Sequence, residues 1–486
     1  MNDLEIHITG NSAKILGNIP DAVVADLYAK CSFYVQGSEH SALFKKGRWD
    51  GYTHLFKHRY NIFPAGLTNM ICNALKILGY NVHVTHGRYH QNLISPMLEL
   101  SDKVEMRWYA IAAVEAALAA RRCIIKVATG GGKTAIAAML IQRIGERTLF
   151  LVHTKDLMRQ AKDAFEDFLG IECGQIGDGV LKPADVTVAT IQTISRILDK
   201  KYKSDSFCEE DDADDTQVEE CQKEAIRAWL KGVNVLLQDE AHRVASEIAF
   251  EVANAIKNAS WRVGFSASPW RDDGTDMMID AAYGYRAFDI TASELIRMGY
   301  LMKPTIEFRH IISPEPAGTY EQVYGDWVVN NPFHNLSVVN DVQDMYNDHR
   351  TILVLVKQIK HGKMLMKSIK DRGIPCQFLS GKDSSTVRYQ TINDMRNRSL
   401  PCLVATTIAD EGLDIKPIDG MILAGRGKSS TRALQRVGRA LRPYDKMDPL
   451  IIDYYDQVKF LEGHAQKRIT MYRTEPEFTI KVERAY

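Results

Sequence analysis

Two short runs of the sequence combine residue types that can hold and cleave a phosphoanhydride. In CIIKVATGGGKT, residues 123–134, an apolar segment leads directly into three glycines, a lysine and a hydroxyl side chain. Glycines let backbone N–H groups close around polyanionic oxygens, and a helix starting there adds the positive end of its dipole. Thr129, Gly130, Gly131 and Gly132 are the expected cradle, with Lys133 reaching the β and γ phosphates of ATP and the Thr134 hydroxyl holding a divalent ion. The general P-loop pattern asks for Gly or Ala where Val127 stands, so only its TGxGKT half is intact. A chance glycine-rich turn would account for the glycines, but not for strand, lysine, threonine and helix in that order. The second run, VLLQDEAH, ends an apolar strand in two adjacent carboxylates. Asp239 suits Mg²⁺ coordination, Glu240 suits orienting or deprotonating an attacking water, and His242 could relay the state of the nucleotide. Taken alone, the same letters fit the solvated start of a helix, with the acids favouring its positive end.

These residues need a scaffold that aligns strand ends, and the chain supplies the pattern for one. Short apolar runs at Cys123–Val127, Arg147–His153, Val186–Thr190, Val233–Leu237 and Trp261–Ser266 alternate with helix-length segments, as expected for a parallel sheet. A second set follows at Thr351–Lys357, Pro375–Leu379, Leu400–Thr406, Gly420–Ala424 and Pro449–Tyr455. The expected fold is α/β, with domains at 104–290 and 325–486 joined by a linker at 291–324. The stretch from about 200 to 220 is crowded with acidic residues and reads as a surface insertion or a partner-binding loop.

Residues 1–103 lack phosphate-binding signals; alternation over Glu5–Thr9 and Tyr80–Thr85, with helical spacing over Leu67–Leu78, predicts a small mixed α/β domain. Its segment FKKGRWDGYTHLFKHRY sets Lys45, Lys46, Arg48, Lys57 and Arg59 against one carboxylate, Asp50, and interleaves them with Trp49 and other aromatics. Such a surface can pair with phosphates and stack on bases, or it can be a hairpin with its aromatics packed inward. Lys plus Arg and Asp plus Glu each number 61, so any polyanion must be recognised by local patches. The eight cysteines are scattered without a zinc-like pairing and read as reduced core thiols, and no stretch has the length of a membrane span.

The motifs taken together resemble the superfamily 2 helicases, more narrowly phage recombination helicases of the UvsW type. The resemblance runs from about Trp108 to Arg442 and rests on ATGGGKT, DEAH and SASP (Ser266–Pro269) in the family's order, with weaker similarity in GRWDG and FPAGL. It implies two tandem RecA-like domains that bind ATP and Mg²⁺ and move along DNA. By that likeness His153 and Thr154, Gln192 and Thr193, and Thr406 lie near the nucleic acid; Ser266 and Ser268 couple hydrolysis to movement; and Gly412 and Asp414 lie near the nucleotide. QRVGRALR resembles the family's arginine motif, with Gln435 near the nucleotide and Arg436 and Arg439 facing phosphate, Arg439 as the arginine finger. Where the family often has an aromatic followed by Gln to read adenine, this chain has Trp108, Tyr109 and then Ala110, leaving the two aromatics to stack on or pack beside the base. The likeness further implies branched DNA as substrate, phage replication or recombination proteins as partners, no membrane, a monomer in solution and the cytoplasm of a bacterial host. A double-stranded DNA translocase or restriction-type motor, and an ATP-switched DNA-binding scaffold, are the alternatives.

Overall fold

Three larger sheets and a two-stranded ladder arise from the sequence, described in a computed structural model over residues 3–87, 91–94, 97–198, 220–268, 275–311, 318–406, 418–426, 437–438 and 448–482. Near the N-terminus, β1 (Asp3–Thr9) and β2 (Ser12–Leu16) pair antiparallel, and β3 (Ser32–Tyr34) pairs β4 (Tyr52–His54) in a separate ladder. With β5 (Ile62–Pro64) and β6 (Asn81–His86) the first sheet runs β5-β2-β1-β6. Leu4, Ile6 and Ile8 of β1 point into the core while the residues between them do not, the two-residue period of a half-buried strand. They pack with Phe56, Phe63 and the helix Thr68–Ile77, whose Ile71 and Leu75 are fully buried.

This module docks closely on the next one. Gly10 has φ +58°, and a Cβ there would lie 2.3 Å from the Lys257 carbonyl oxygen. A Cβ on Gly66 would lie 2.0 Å from the carbonyl oxygen of Asp280, so backbone meets backbone at both points and only glycine permits it.

The first large sheet contains β7 (Arg122–Val127), β8 (Thr148–Val152), β9 (Gly174–Gly177), β10 (Val180–Lys182), β11 (Val186–Thr190), β12 (Val235–Gln238), β13 (Trp261–Ser266) and β14 (Arg286–Ile290). Their order is β10-β9-β11-β8-β12-β13-β7-β14. Every residue of β8 and β11 is buried, as a parallel strand covered on both faces requires. β13 lies between β12 and β7 and parallel to both, with Gln238 opposite Gly264 and Ser266 opposite Lys126. The C-terminal ends of these strands therefore share one sheet edge. Sequence patterning passed over the β9–β10 hairpin, because GQIG carries no apolar run.

The second large sheet, treated by itself, contains β15 (Thr305–His310), β16 (Ile352–Leu355), β17 (Cys376–Leu379), β18 (Cys402–Ala405), β19 (Gly420–Ile422), β20 (Leu450–Tyr455) and β21 (Thr479–Val482), in the order β17-β18-β16-β19-β20-β15-β21. β15 falls inside the stretch expected as a linker yet pairs with both β20 and β21. Only Ile306 and Phe308 of its six residues are buried, so its apolar signal is two residues deep.

Two charge pairs are buried in this core. Arg426 donates from Nε and Nη2 to the two oxygens of Asp456 at 2.5 and 2.6 Å, and Trp327 Nε1 donates to Asp456 Oδ1 at 2.8 Å. Arg468 grips Asp453 in the same two-pronged way, at 2.8 and 2.9 Å. Burial pushes the Asp456 carboxyl up, but Arg426 and Trp327 outweigh it and hold it below its ordinary value. A lowered folded-state value means stability that is present above the ordinary carboxylate range and lost as pH falls through and below it. Asp456→Asn leaves the Arg426 guanidinium buried without its counter-ion, and should destabilise this core by about 3–5 kcal/mol. Urea unfolding followed by intrinsic tryptophan fluorescence checks this, and an unchanged midpoint would refute it.

Candidate active site

The turn after β7 depends on glycine, because Gly130 and Gly132 adopt φ +87° and +83°. It delivers the chain into the helix Lys133–Ile144, so Lys133 begins its first turn. From there the Lys133 ammonium donates to Glu240 Oε1 at 2.8 Å and lies 3.6 Å from Asp239 Oδ1. Both carboxylates follow the end of β12, on the edge that β7 and β13 also reach. Glu240 turns left-handed at φ +49°, a backbone state that costs a non-glycine residue about 1 kcal/mol and recurs at functional sites. Asp239 Oδ1 accepts the Glu240 N–H at 2.9 Å, which fixes the turn locally.

A polar chain leads away from this pair. Glu240 Oε2 lies 3.4 Å from His242 Nδ1, which lies 3.2 Å from the Ser266 hydroxyl. Ser266, fully buried at the end of β13, accepts the Ser268 N–H at 3.2 Å. The lysine expected on phosphate is thus connected, step by step, to the serines expected to couple hydrolysis to movement.

The charges shift one another. Burial pushes Glu240 up, but Lys133 and then His242 pull it down to about 2. Asp239 rises, because burial and the Glu240 charge outweigh Lys133. Burial pulls the Lys133 amine down, yet Glu240 and Asp239 more than compensate and raise it. Burial, with Arg243 adding to it, holds the His153 ring well below its ordinary value, so it is neutral at pH 7.

The residues expected near nucleic acid divide into exposed and enclosed groups. Thr154 caps the helix Lys155–Leu169 by accepting the Leu157 N–H at 3.2 Å, and Gln192 donates to the His153 carbonyl at 3.0 Å, joining the two segments. Thr193 is buried, its hydroxyl accepting from Thr190 at 2.8 Å, and Thr406 is buried at the end of β18. The Thr193 hydroxyl is therefore turned inward in this conformation. Tyr109 is fully buried with its hydroxyl accepting from Arg107 at 3.0 Å, so its ring packs inside the domain, whereas Trp108 is 56% exposed. Lys45, Lys46 and Arg48 are exposed, and among the described residues no carboxylate pairs with them. Trp49 is half-buried, donating to the Tyr52 carbonyl at 2.7 Å, while Phe56 joins the core, so the segment is part surface and part hairpin packing. Gly412, Asp414, Gln435, Arg436, Arg439, Arg442 and most of the acidic stretch lie outside the described residues. Sequence reasoning missed Gln238, which accepts from Tyr283 beneath the two carboxylates; a polar residue ending an apolar strand was its only signal.

Two family models match the chain: "Type III restriction enzyme, res subunit" over residues 103–271 and "Helicase conserved C-terminal domain" over residues 336–444. The protein named ATP-dependent DNA helicase uvsW, from Enterobacteria phage T4, is 22% identical over 444 residues, covering 85% of this chain and 82% of that one. A relative provisionally named helicase 22, from the Sulfolobus islandicus filamentous virus, is 24% identical over 374 residues, covering 71% of this chain. The chain spans 62% of that relative's length. Among solved structures, the ATP-dependent Type ISP restriction-modification enzyme LlaBIII bound to DNA aligns with TM-score 0.55 and 13% identity, over 85% of this chain and 34% of that one, which shows a shared fold. Among the described residues no helix is long and apolar enough to cross a membrane.

Proposed function

Starting from a chain that belongs to the superfamily 2 helicases and carries their two RecA-like domains, we propose that it is an ATP-dependent DNA helicase acting on branched DNA such as replication forks and Holliday junctions. The observation that carries this reading is the Lys133 ammonium held 2.8 Å from Glu240 at the edge where three parallel strands end. On nucleotide binding, Lys133 exchanges this carboxylate for phosphate oxygens. Glu240 then keeps an ionised carboxylate, still beside His242, with which to orient water and take up its proton. Asp239 and the Thr134 hydroxyl are hard oxygen donors, and Asp239 already faces a cation, the Lys133 ammonium at 3.6 Å, so with Lys133 turned to phosphate they fit a Mg²⁺ ion. Bound there with ATP, that ion would neutralise charge on the phosphates. His242 and Ser266 carry the change at Glu240 into β13 and on to Ser268. In this reading Arg436 and Arg439 add the remaining positive charge that phosphoryl transfer requires.

The grip on DNA is through the backbone, so binding is weakly sequence-dependent and falls with salt. Replication, recombination and repair of phage DNA in the cytoplasm of a bacterial host, by a monomer working beside other replication or recombination proteins, is the setting this activity suits. A double-stranded DNA translocase without strand separation is the second reading, favoured by the restriction-subunit family match and the LlaBIII fold. ATPase stimulation and unwinding on matched fork, Holliday junction, plain duplex, single-stranded DNA and RNA separate the two. Strand displacement from forks is expected; triplex displacement on uninterrupted duplex without fork unwinding would favour the translocase.

A further inference from the structure

A cavity of about 650 Å³ opens where the N-terminal module meets the first large sheet. It lies at the opposite edge from Lys133 and the carboxylates, because Arg122 begins β7, Ser260 precedes β13 and Lys231 shortly precedes β12. The N-terminal module supplies the β1–β2 turn, Asn69 and His86 to the same space.

Its charge is one-sided. Arg121, Arg122, Lys231 and Lys257 all line it, and among the described residues none of its lining is an Asp or Glu. In a chain with as many acids as bases, four cations around one hollow with no acid among them are a local concentration of positive potential. Arg122 is committed to structure, donating to the carbonyls of Gly10 and Ala259. Arg121 lies over the Trp261 ring at 5.1 Å, while Lys231 and Lys257 are exposed and have no carboxylate partner among the described residues. Burial, with Arg121 and Arg122 adding to it, lowers the His86 value, so that ring is neutral and does not add to the charge at pH 7.

The shape selects among polyanions. A volume of this size matches a small-ligand pocket, enough for about one or two nucleotides and too small to enclose a duplex. Tyr285, 44% exposed on the wall, offers a ring face for base stacking, and Asn69 offers an amide.

We propose that this cavity binds a short segment of single-stranded DNA through its phosphates, as a second anchorage remote from the nucleotide edge. The proposal rests on the helicase reading for its choice of polyanion. The two are tested separately with the full chain and a Lys231→Gln, Lys257→Gln double variant, both changes being on exposed side chains. Binding of a labelled oligodeoxynucleotide is measured over a range of salt, and each lysine–phosphate pairing removed should flatten the log–log slope by about 0.7, so about 1.4 for the two lysines together. ATPase without DNA should be unchanged. A photoreactive label on an Asn69→Cys chain should crosslink to the oligonucleotide, and the double variant should lose that product. Unaltered slope and crosslinking would overturn the cavity assignment, as would protection from the label by inorganic phosphate or AMP with none by the oligonucleotide. If the unmodified chain hydrolyses no ATP with any nucleic acid, the helicase reading fails instead.

Discussion

A Lys133→Ala chain should lose ATP turnover by on the order of 10²–10³, the effect of removing one positioned donor to developing phosphate charge. DNA binding should survive in large part, because the proposed grip on the DNA backbone does not involve Lys133. The substitution also strips the only cation within 4 Å of both Asp239 and Glu240 among the described residues. Without it, burial and the Glu240 charge push the Asp239 carboxyl up unopposed by Lys133. Steady-state hydrolysis and anisotropy with labelled DNA, measured in parallel, check both halves. Undiminished turnover would remove the phosphate role of Lys133 and the site with it.

Glu240→Gln should behave differently. The amide keeps the shape and can still meet Lys133, so ATP binding persists while hydrolysis slows by about 10²–10⁴, the usual contribution of a positioned general base. In the resting site the Glu240 carboxyl sits at about 2, so it is ionised at every pH near neutrality and sets no acidic limb there. By sign, this lowered value contributes stability that is full above the ordinary 4.5 and vanishes as pH falls toward 2, whereas the raised Asp239 works in the opposite direction. Equilibrium binding of a fluorescent ATP analogue beside single-turnover hydrolysis separates the two effects. Normal single-turnover rates would reject the water-handling role.

Much of this arrangement was legible from residue order. Val186–Thr190 and Trp261–Ser266 are strands with the ends their apolar runs predict, and the two runs at Thr129–Thr134 and Asp239–His242 do meet. Fully buried parallel strands announce themselves because neither face tolerates polarity. What was hidden depends on tertiary context. β15 joins a sheet with only two buried residues, and the left-handed turn at Glu240 follows from the need to aim a carboxylate at Lys133, which no local propensity favours. Thr193 and Tyr109 carry the right side chains for ligand binding, yet an inward hydrogen bond and full burial decide their exposure. The four cations of the cavity lie at 121, 122, 231 and 257, too far apart in the chain to form a motif.

The paired glycines at 10 and 66 carry a mechanical implication. With main chain seated on main chain at Lys257 and Asp280, and with Phe250 and Met277 packed against its core, the front module has little freedom to slide or swivel. A ligand held by that module would therefore travel with the part of the chain that bears Lys133. Transplanting the module onto another chassis would require a backbone that follows the same course opposite Gly10 and Gly66.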